Sequence, residues 1–266
     1  MASIDSSYSI SGSGPAIIFI HGIGARKSAW DKVILHLENN FTCVSYDLRG
    51  HGSSPKGELP YTLDVLVEDL EALRLTLNLQ KIHLVGHSLG GMIGPRYAKS
   101  YPDHVLSISL LSTAAFRTKE DQSKVIAIVE SMSQNGIEPI LNTLTDRWFT
   151  DQFINENYDS VEFRLQQVLD TDSEVFLEVF RIYAETEMSP WLNQIKQHCL
   201  VLTGENDGGC NPRLNKLIAD SLPHSELCIL DKFKHSILIE APEIVGRQVR
   251  DFLSVSYTHL TLPTKA

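Results

Sequence analysis

The sequence predicts an α/β architecture, a mostly parallel sheet flanked by helices and interrupted once by an inserted helical segment. Three observations carry this. Short apolar runs alternate with helix-like segments along most of the chain. Those runs are largely continuous in hydrophobicity, the pattern of strands buried on both faces. From Phe116 to Pro190 the alternation stops, and four helical patterns follow with no convincing strand.

Taken in order, the strand runs cover residues 16–21, 42–46, 82–86, 105–111, 199–203 and 227–230, with residues 4–10 as a candidate edge strand. Thr62 is placed to cap a helix whose apolar residues Leu63, Leu66, Val67, Leu70, Leu73 and Leu77 recur at helical spacing. The stretch after Ser88 reads helical through Met92, Ile93, Tyr97 and Ala98. Pro95 is expected to interrupt or kink it, because an interior proline costs about 3 kcal/mol relative to alanine. The four helical patterns of the insertion fall near residues 119–134, 137–149, 151–169 and 173–186, and a last helix spans 242–253. The resulting domain organisation is a core from residues 1–115 and 191–254 with a helical cap insertion at 116–190. Residues 255–266 do not continue the periodicity of the last helix and resemble the translation of a sequencing adapter. They are expected to be a non-native read-through tail.

Composition narrows the function classes. Apolar residues make up 42% and charged residues 21% of the 266, an ordinary globular balance. The net charge is −10 with no Lys/Arg run, which argues against nucleic acid as a partner and leaves a small-molecule substrate as the expected one. No stretch approaches the roughly 20 apolar residues of a membrane span. The N-terminus has neither the basic nor the apolar region of a secretory signal, so a cytoplasmic location is expected. Cys43, Cys199 and Cys228 lie in strand-like runs and Cys210 in a polar loop. None has zinc-type spacing, so neither a metal nor a disulfide is expected.

The chemistry starts at Gly86-His-Ser-Leu-Gly90, directly after an apolar strand run. A serine at a sharp strand-to-helix turn is held in a strained conformation, and side chains two residues either side would collide, hence the glycines. Serine needs a base to become a nucleophile. His235 suits that role, since it follows the 227–230 strand by the short loop Asp231-Lys-Phe-Lys234 and precedes the last helix. A carboxylate must orient the imidazole. Asp207, beyond the end of the 199–203 strand, is preferred over Glu205 in the same turn because it lies deeper in the loop. An oxyanion needs two backbone donors. Leu89 N–H, just after the serine, and Ile23 N–H, in the glycine-rich turn His21-Gly-Ile-Gly24, are the candidates.

These motifs, in the order Ile23, Ser88, Asp207, His235, together with Tyr46-Asp-Leu-Arg-Gly-His-Gly-Ser53, resemble the α/β-hydrolase fold superfamily over residues 16–253. The resemblance implies a serine hydrolase that works through an acyl-enzyme and requires no cofactor. In it Asp47 and Arg49 order a loop, and His51 and His87 are structural or pocket-lining, with His87 a candidate substrate contact. A serine at the elbow argues against dehalogenases and epoxide hydrolases, which use aspartate there. Within the superfamily, Arg147-Trp-Phe-Thr150, with Asn142 and Trp191 around it, is similar to 3-oxoadipate enol-lactonases. That likeness implies an ester or lactone of a small organic acid as substrate, with Arg147 pairing to a carboxylate and Trp148 walling the pocket. The alternatives are a carbon–carbon bond hydrolase or an amidase acting on ring-cleavage products, or a small-molecule receptor that does not turn over.

Overall fold

The computed structural model describes residues 2–261, with side chains described through Ser254. Seven strands form one sheet: β1 Tyr8–Ser11, β2 Ala16–Ile20, β3 Thr42–Tyr46, β4 Ile82–His87, β5 Val105–Leu111, β6 His198–Gly204 and β7 Ser225–Leu230. Their order is β1-β3-β2-β4-β5-β6-β7, with β1 antiparallel and every other pairing parallel. The edge strand thus starts at Tyr8, later than the sequence suggests; three of its four residues are exposed, so no buried apolar run marks it.

Helices cover both faces. On one side lie α1 (Asp31–Ile34) and, late in the chain, the helix Pro242–Thr261; on the other lie α2 (Leu63–Thr76) and α3 (Gly90–Ser100). β2 shows why the sheet must be covered twice. Ile18 and Ile20 pack with Leu66, Leu70, Met92 and Ile93, whereas Ile17 and Phe19 pack with Trp30, Val245 and Val249. Thr62 caps α2 as the sequence indicates, its hydroxyl accepting from Val65 N–H at 3.2 Å. Pro95 does not interrupt α3; the helix runs through it, and only the Gly91 carbonyl is deprived of its i+4 donor.

Between β5 and β6 come α4 (Lys119–Asn135), α5 (Leu141–Trp148), α6 (Asp151–Glu156), α7 (Tyr158–Leu169) and α8 (Ser173–Glu185). The single helix expected over 151–169 is two, because Asn157 leaves helical geometry (φ −134°, ψ 43°). Asparagine readily trades the helical backbone for local hydrogen bonding. After β6, α9 spans Pro212–Ser221, α10 spans Ile237–Glu240, and the final helix Pro242–Thr261 is α11. Its backbone runs past the expected end at residue 253, as no helix breaker precedes Pro263; residues 262–266 of the tail lie outside the described residues. No helix among the described residues is long and apolar enough to cross a membrane.

The parallel topology places the loops after β2, β4, β6 and β7 at one edge of the sheet. β2 and β4 are neighbours whose chains leave in opposite directions, to β3 and to β5, so a crevice opens between their carboxyl ends. The loop that follows β3, the other neighbour of β2, is tied to α2 by a buried ion pair. Arg49 Nε and Nη2 each reach an Asp69 oxygen at 2.6 Å, with both side chains almost fully buried. Removing one partner strands the other charge in the interior. Asp69→Ala is therefore expected to lower unfolding free energy by about 3–5 kcal/mol, read as a shifted denaturant midpoint at unchanged slope. A loss below 1 kcal/mol would show the pair to be dispensable.

Candidate active site

Ser88 sits where β4 turns into α3. Its φ is +56°, a left-handed conformation that a side-chain-bearing residue adopts only under constraint. The constraint is backbone contact. A Cβ on Gly86 would lie 2.1 Å from the Gly90 carbonyl oxygen, and one on Gly90 would lie 2.1 Å from the Ile20 carbonyl oxygen. Only glycine at both positions lets α3 start this close to β2 and β4. Ser88 N–H bonds the Leu111 carbonyl at 2.8 Å, and Thr113 Oγ1 donates to the Ser88 carbonyl at 2.9 Å, so the turn is held from β5 as well.

The loops after β6 and β7 bring the next two residues together. Asp207 is almost completely buried. Its Oδ1 accepts from the N–H groups of Gly209 (3.0 Å) and Cys210 (2.8 Å), which leaves Oδ2 facing His235 Nδ1 at 2.7 Å. Glu205 points elsewhere and accepts from Lys232 N–H at 3.0 Å. Burial alone would push the His235 imidazole down, but the Asp207 carboxylate against Nδ1 outweighs it and holds His235 above the ordinary imidazole value. Reciprocally, burial would raise Asp207, yet the charge and hydrogen bond of His235 and the two N–H donors hold it low. The Ser88 hydroxyl faces the same cavity as His235, with no hydrogen bond joining the two.

His87 is the serine's neighbour on the other side. Burial, aided by His235 close by, pushes it down to about 3, so it is neutral. Its Nε2 therefore carries the proton and donates to the His235 carbonyl at 3.0 Å, fixing the loop that bears the base candidate. His51 lies under the other loop. Burial pushes it down to about 4. Its Nδ1–H donates to the Arg49 carbonyl at 3.0 Å, and its Nε2 accepts from Gly24 N–H at 3.1 Å. Asp47, as the sequence suggests, orders the neighbouring loop through Lys27 N–H (2.7 Å), Lys27 Nζ (2.8 Å) and Ser53 N–H (3.2 Å).

Among the described residues, neither Ile23 N–H nor Leu89 N–H has an acceptor. Both are buried residues, and unpaired buried donors are rare unless something else is meant to accept from them. Ser88, His235, His87 and Ile23 line a cavity of about 110 Å³ whose opposite wall comes from the inserted helices, including Leu144, Trp148, Phe180 and Tyr183. Arg147 also lines it and has no hydrogen-bond or ion-pair partner among the described residues.

Among the lining residues that sequence did not single out for the site, Cys210, Tyr183 and Arg164 carry polar groups. Cys210, expected in a polar loop, is fully buried with its Sγ 3.1 Å from the Tyr183 hydroxyl. Arg164 of α7 is buried, with its guanidinium 4.6 Å from the Trp148 ring centre. No local motif marks any of the three, since their neighbours come from distant segments. Asp207, Cys210 and His235 place one potential metal-ligating atom each within 4.8 Å of one another. Asp207 Oδ2 and His235 Nδ1, however, face each other at hydrogen-bond distance, closer than two ligands spread around a tetrahedral zinc ion stand.

A strained serine at a strand–helix turn, an Asp–His pair after the last two strands and free N–H groups after β2 and β4 define the class. The family model for the alpha/beta hydrolase fold matches residues 15–242, and the chain belongs to that family. It is similar to 3-oxoadipate enol-lactonase 2 of Acinetobacter baylyi, 28% identical over 235 residues covering 88% of this chain and 87% of that protein. It is also similar to the (E)-2-((N-methylformamido)methylene)succinate hydrolase of the same organism, 25% identical over 249 residues and 92% of each chain. In fold it matches the crystal structure of the enol-lactonase from Burkholderia xenovorans LB400, with a TM-score of 0.87 at 24% identity over 94% of this chain and 97% of that one.

The charge state of the Asp–His pair is directly measurable. The His235 ring is expected to titrate by NMR above the ordinary value of about 6.5. In Asp207→Asn the carboxylate is gone while burial remains, so the midpoint should fall below 6.5. An unchanged midpoint in that variant would mean that another group supports the imidazolium.

Proposed function

We propose that the protein is a serine hydrolase that cleaves an ester or lactone of a small organic acid through an acyl-enzyme. The observation that carries this is the convergence on one cavity of a strained Ser88, an Asp207–His235 pair and the Ile23 turn, whose N–H, like that of Leu89 next to the serine, has no acceptor among the described residues. In this reading Ser88 Oγ attacks the carbonyl carbon while His235 Nε2 takes the hydroxyl proton. The carbonyl electrons move onto oxygen, where Ile23 N–H and Leu89 N–H stabilise them, each donor contributing on the order of 3 kcal/mol. Collapse expels the alcohol oxygen, which receives the proton from His235. In a lactone that oxygen stays on the acyl chain. Water then attacks the Ser88 ester with His235 again as base, releasing the acid and restoring the serine. Asp207 holds the Nδ1–H tautomer, so that Nε2 faces the serine, and stabilises the transient imidazolium. No step calls on a cofactor.

The substrate side of the proposal rests on Arg147, a guanidinium on the cavity wall with no partner among the described residues, in a chain of net charge −10. An unpaired arginine there suits a substrate carboxylate, which it can bind through two parallel hydrogen bonds. The two curated relatives are named for an oxoadipate enol-lactone and for a substituted succinate, both dicarboxylate skeletons. The small cavity fits a short acyl chain, with Trp148 as an apolar wall. Residues 116–190 then serve as the cap that selects the substrate, and the enzyme works in the cytoplasm.

Ser88→Ala is expected to stay folded and to lose hydrolysis of short aryl esters and enol-lactones by roughly 10⁶-fold in kcat. Full activity in that variant would sink the mechanism, and a single turnover in the wild type would favour the receptor alternative. For Arg147→Ala, the preference for a carboxylate-bearing substrate over its methyl ester should fall about 10–100-fold, the loss of one charged hydrogen-bond pair. An unaltered preference would remove Arg147 from substrate recognition.

A further inference from the structure

The turn that carries Ile23 N–H is hydrogen-bonded to the inserted helices by one side chain. Arg164 of α7 donates from Nη1 to the Gly24 carbonyl at 2.7 Å and from Nη2 to the Ile23 carbonyl at 2.8 Å, across 140 residues of sequence. Both carbonyls are buried at that contact. No carboxylate pairs with this guanidinium among the described residues, and the charge that acts on it is another cation, Arg26. Burying an arginine without a counter-ion is costly, and here burial and Arg26 together bring it down to about 9. A structure that keeps such a group does so for what the group holds.

What it holds is the orientation of one N–H. A trans peptide unit points its carbonyl and its N–H in opposite directions. In the Ile23–Gly24 unit, the carbonyl goes to Arg164 and the N–H to His51 Nε2, so the plane is fixed from both sides. The next carbonyl, of Gly24, is fixed by the same guanidinium. In the preceding unit the Gly22 carbonyl accepts from His21 Nδ1 at 2.7 Å and from Ala25 N–H at 3.2 Å. Every backbone polar group of Ile23 and Gly24 is thereby committed except Ile23 N–H. Arg26 reinforces the clasp from the core side, donating to the Gln167 carbonyl at 3.1 Å and Thr171 Oγ1 at 2.9 Å just beyond Arg164.

We propose that Arg164 is a positioning residue for the oxyanion site: its guanidinium, reaching down from the inserted helices, sets the Ile23–Gly24 turn so that Ile23 N–H points at the reacting carbonyl oxygen. The oxyanion site is then complete only while α7 is seated on the core. This rests on the serine-hydrolase reading above, in which Ile23 N–H is one of two donors. A lysine at 164 supplies one nitrogen where the two carbonyls now take two, and does not restore the fork.

The test compares wild type, Arg164→Ala and Arg164→Lys in steady-state hydrolysis of a neutral aryl ester, with fluorophosphonate labelling of Ser88 alongside. Misplacing one oxyanion donor is expected to lower kcat by roughly 10²-fold in both variants, with KM changed less than about threefold, the pattern of an interaction made only in the transition state. The affinity for an aryl trifluoromethyl ketone, whose serine adduct places an oxyanion in the same site, should fall by a similar factor. Guanidinium added at non-denaturing concentration should restore kcat in Arg164→Ala and not in Arg164→Lys, a recovery that a general packing defect would not show. Wild-type kcat in both variants overturns the proposal. So does a loss confined to KM, or one that appears only with carboxylate-bearing substrates, since Arg164 would then be a substrate contact. If Arg164→Ala does not fold, Arg164→Lys carries the kcat and ketone readouts. Absence of Ser88 labelling in the wild type defeats the serine reading itself, whereas labelling with undiminished kcat in the variants defeats only the role of Arg164.

Discussion

The contact on which the sheet edge depends is between backbones. The start of α3 is pressed against the end of β2 so tightly that any side-chain carbon at residue 90 would overlap the Ile20 carbonyl, and one at residue 86 would overlap the Gly90 carbonyl. Everything at the sheet edge follows from that contact. It forces Ser88 into positive φ, lifts its side chain clear of the strand and puts the first turn of α3 beneath it. It also brings the loop after β2 beside the serine, since β2 and β4 pair directly, Ile20 opposite Gly86. The strained Ser88 and the two N–H groups beside it that lack acceptors among the described residues are therefore products of one steric constraint, and the hydrophobic faces of the sheet supply the rigidity that keeps it.

Electrostatics divides the site into neutral and charged halves. His21, His51 and His87 are all pushed down by burial, to about 3, 4 and 3, and each serves as a neutral hydrogen-bonding strut of defined tautomer. His235 alone is shifted the other way, because it alone has a buried carboxylate on Nδ1. Four imidazoles within two loops of one another thus have opposite behaviour, set by partner rather than by residue type.

What could be read in the sequence was whatever depends on near neighbours. The strand over 105–111 and the cap at Thr62 are local hydrophobic and hydrogen-bonding signals, and the structure places them where the sequence does. Ser88, Asp207 and His235 could be picked out as candidates because each follows a strand in a fixed order, with Asp207 preferred over Glu205 for lying deeper in its loop; the structure pairs Asp207 with His235 and turns Glu205 to Lys232 N–H. The break at Asn157 was not legible, since asparagine sits in many intact helices. Arg164 was hidden more thoroughly. On α7 the buried face carries Val161, Arg164, Gln167 and Val168, while Phe163 is 65% exposed. Periodicity assigns apolar residues to the interior, and here the polarity of the helix is partly inverted by a contact 140 residues away.

That inversion shows how the inserted helices relate to the chemistry. They touch both loops that the site needs. Arg164 holds the turn after β2, and on the opposite side the Trp148 carbonyl accepts from Ser236 N–H at 2.8 Å, immediately after His235. Lys234 Nζ reaches the Asp146 carbonyl at 2.9 Å, and Glu240 takes both the N–H and the hydroxyl of Thr150. A segment that only roofed the cavity could be repacked freely by changes in its apolar wall. One whose hydrogen bonds end on the carbonyls and N–H groups of the two reactive loops cannot shift without moving them. The cavity wall and the geometry of the loops after β2 and β7 are therefore tied to the same helices, and a substitution that enlarges the cavity at Leu144 or Phe180 will be tolerated only as far as α5 and α7 keep their seats.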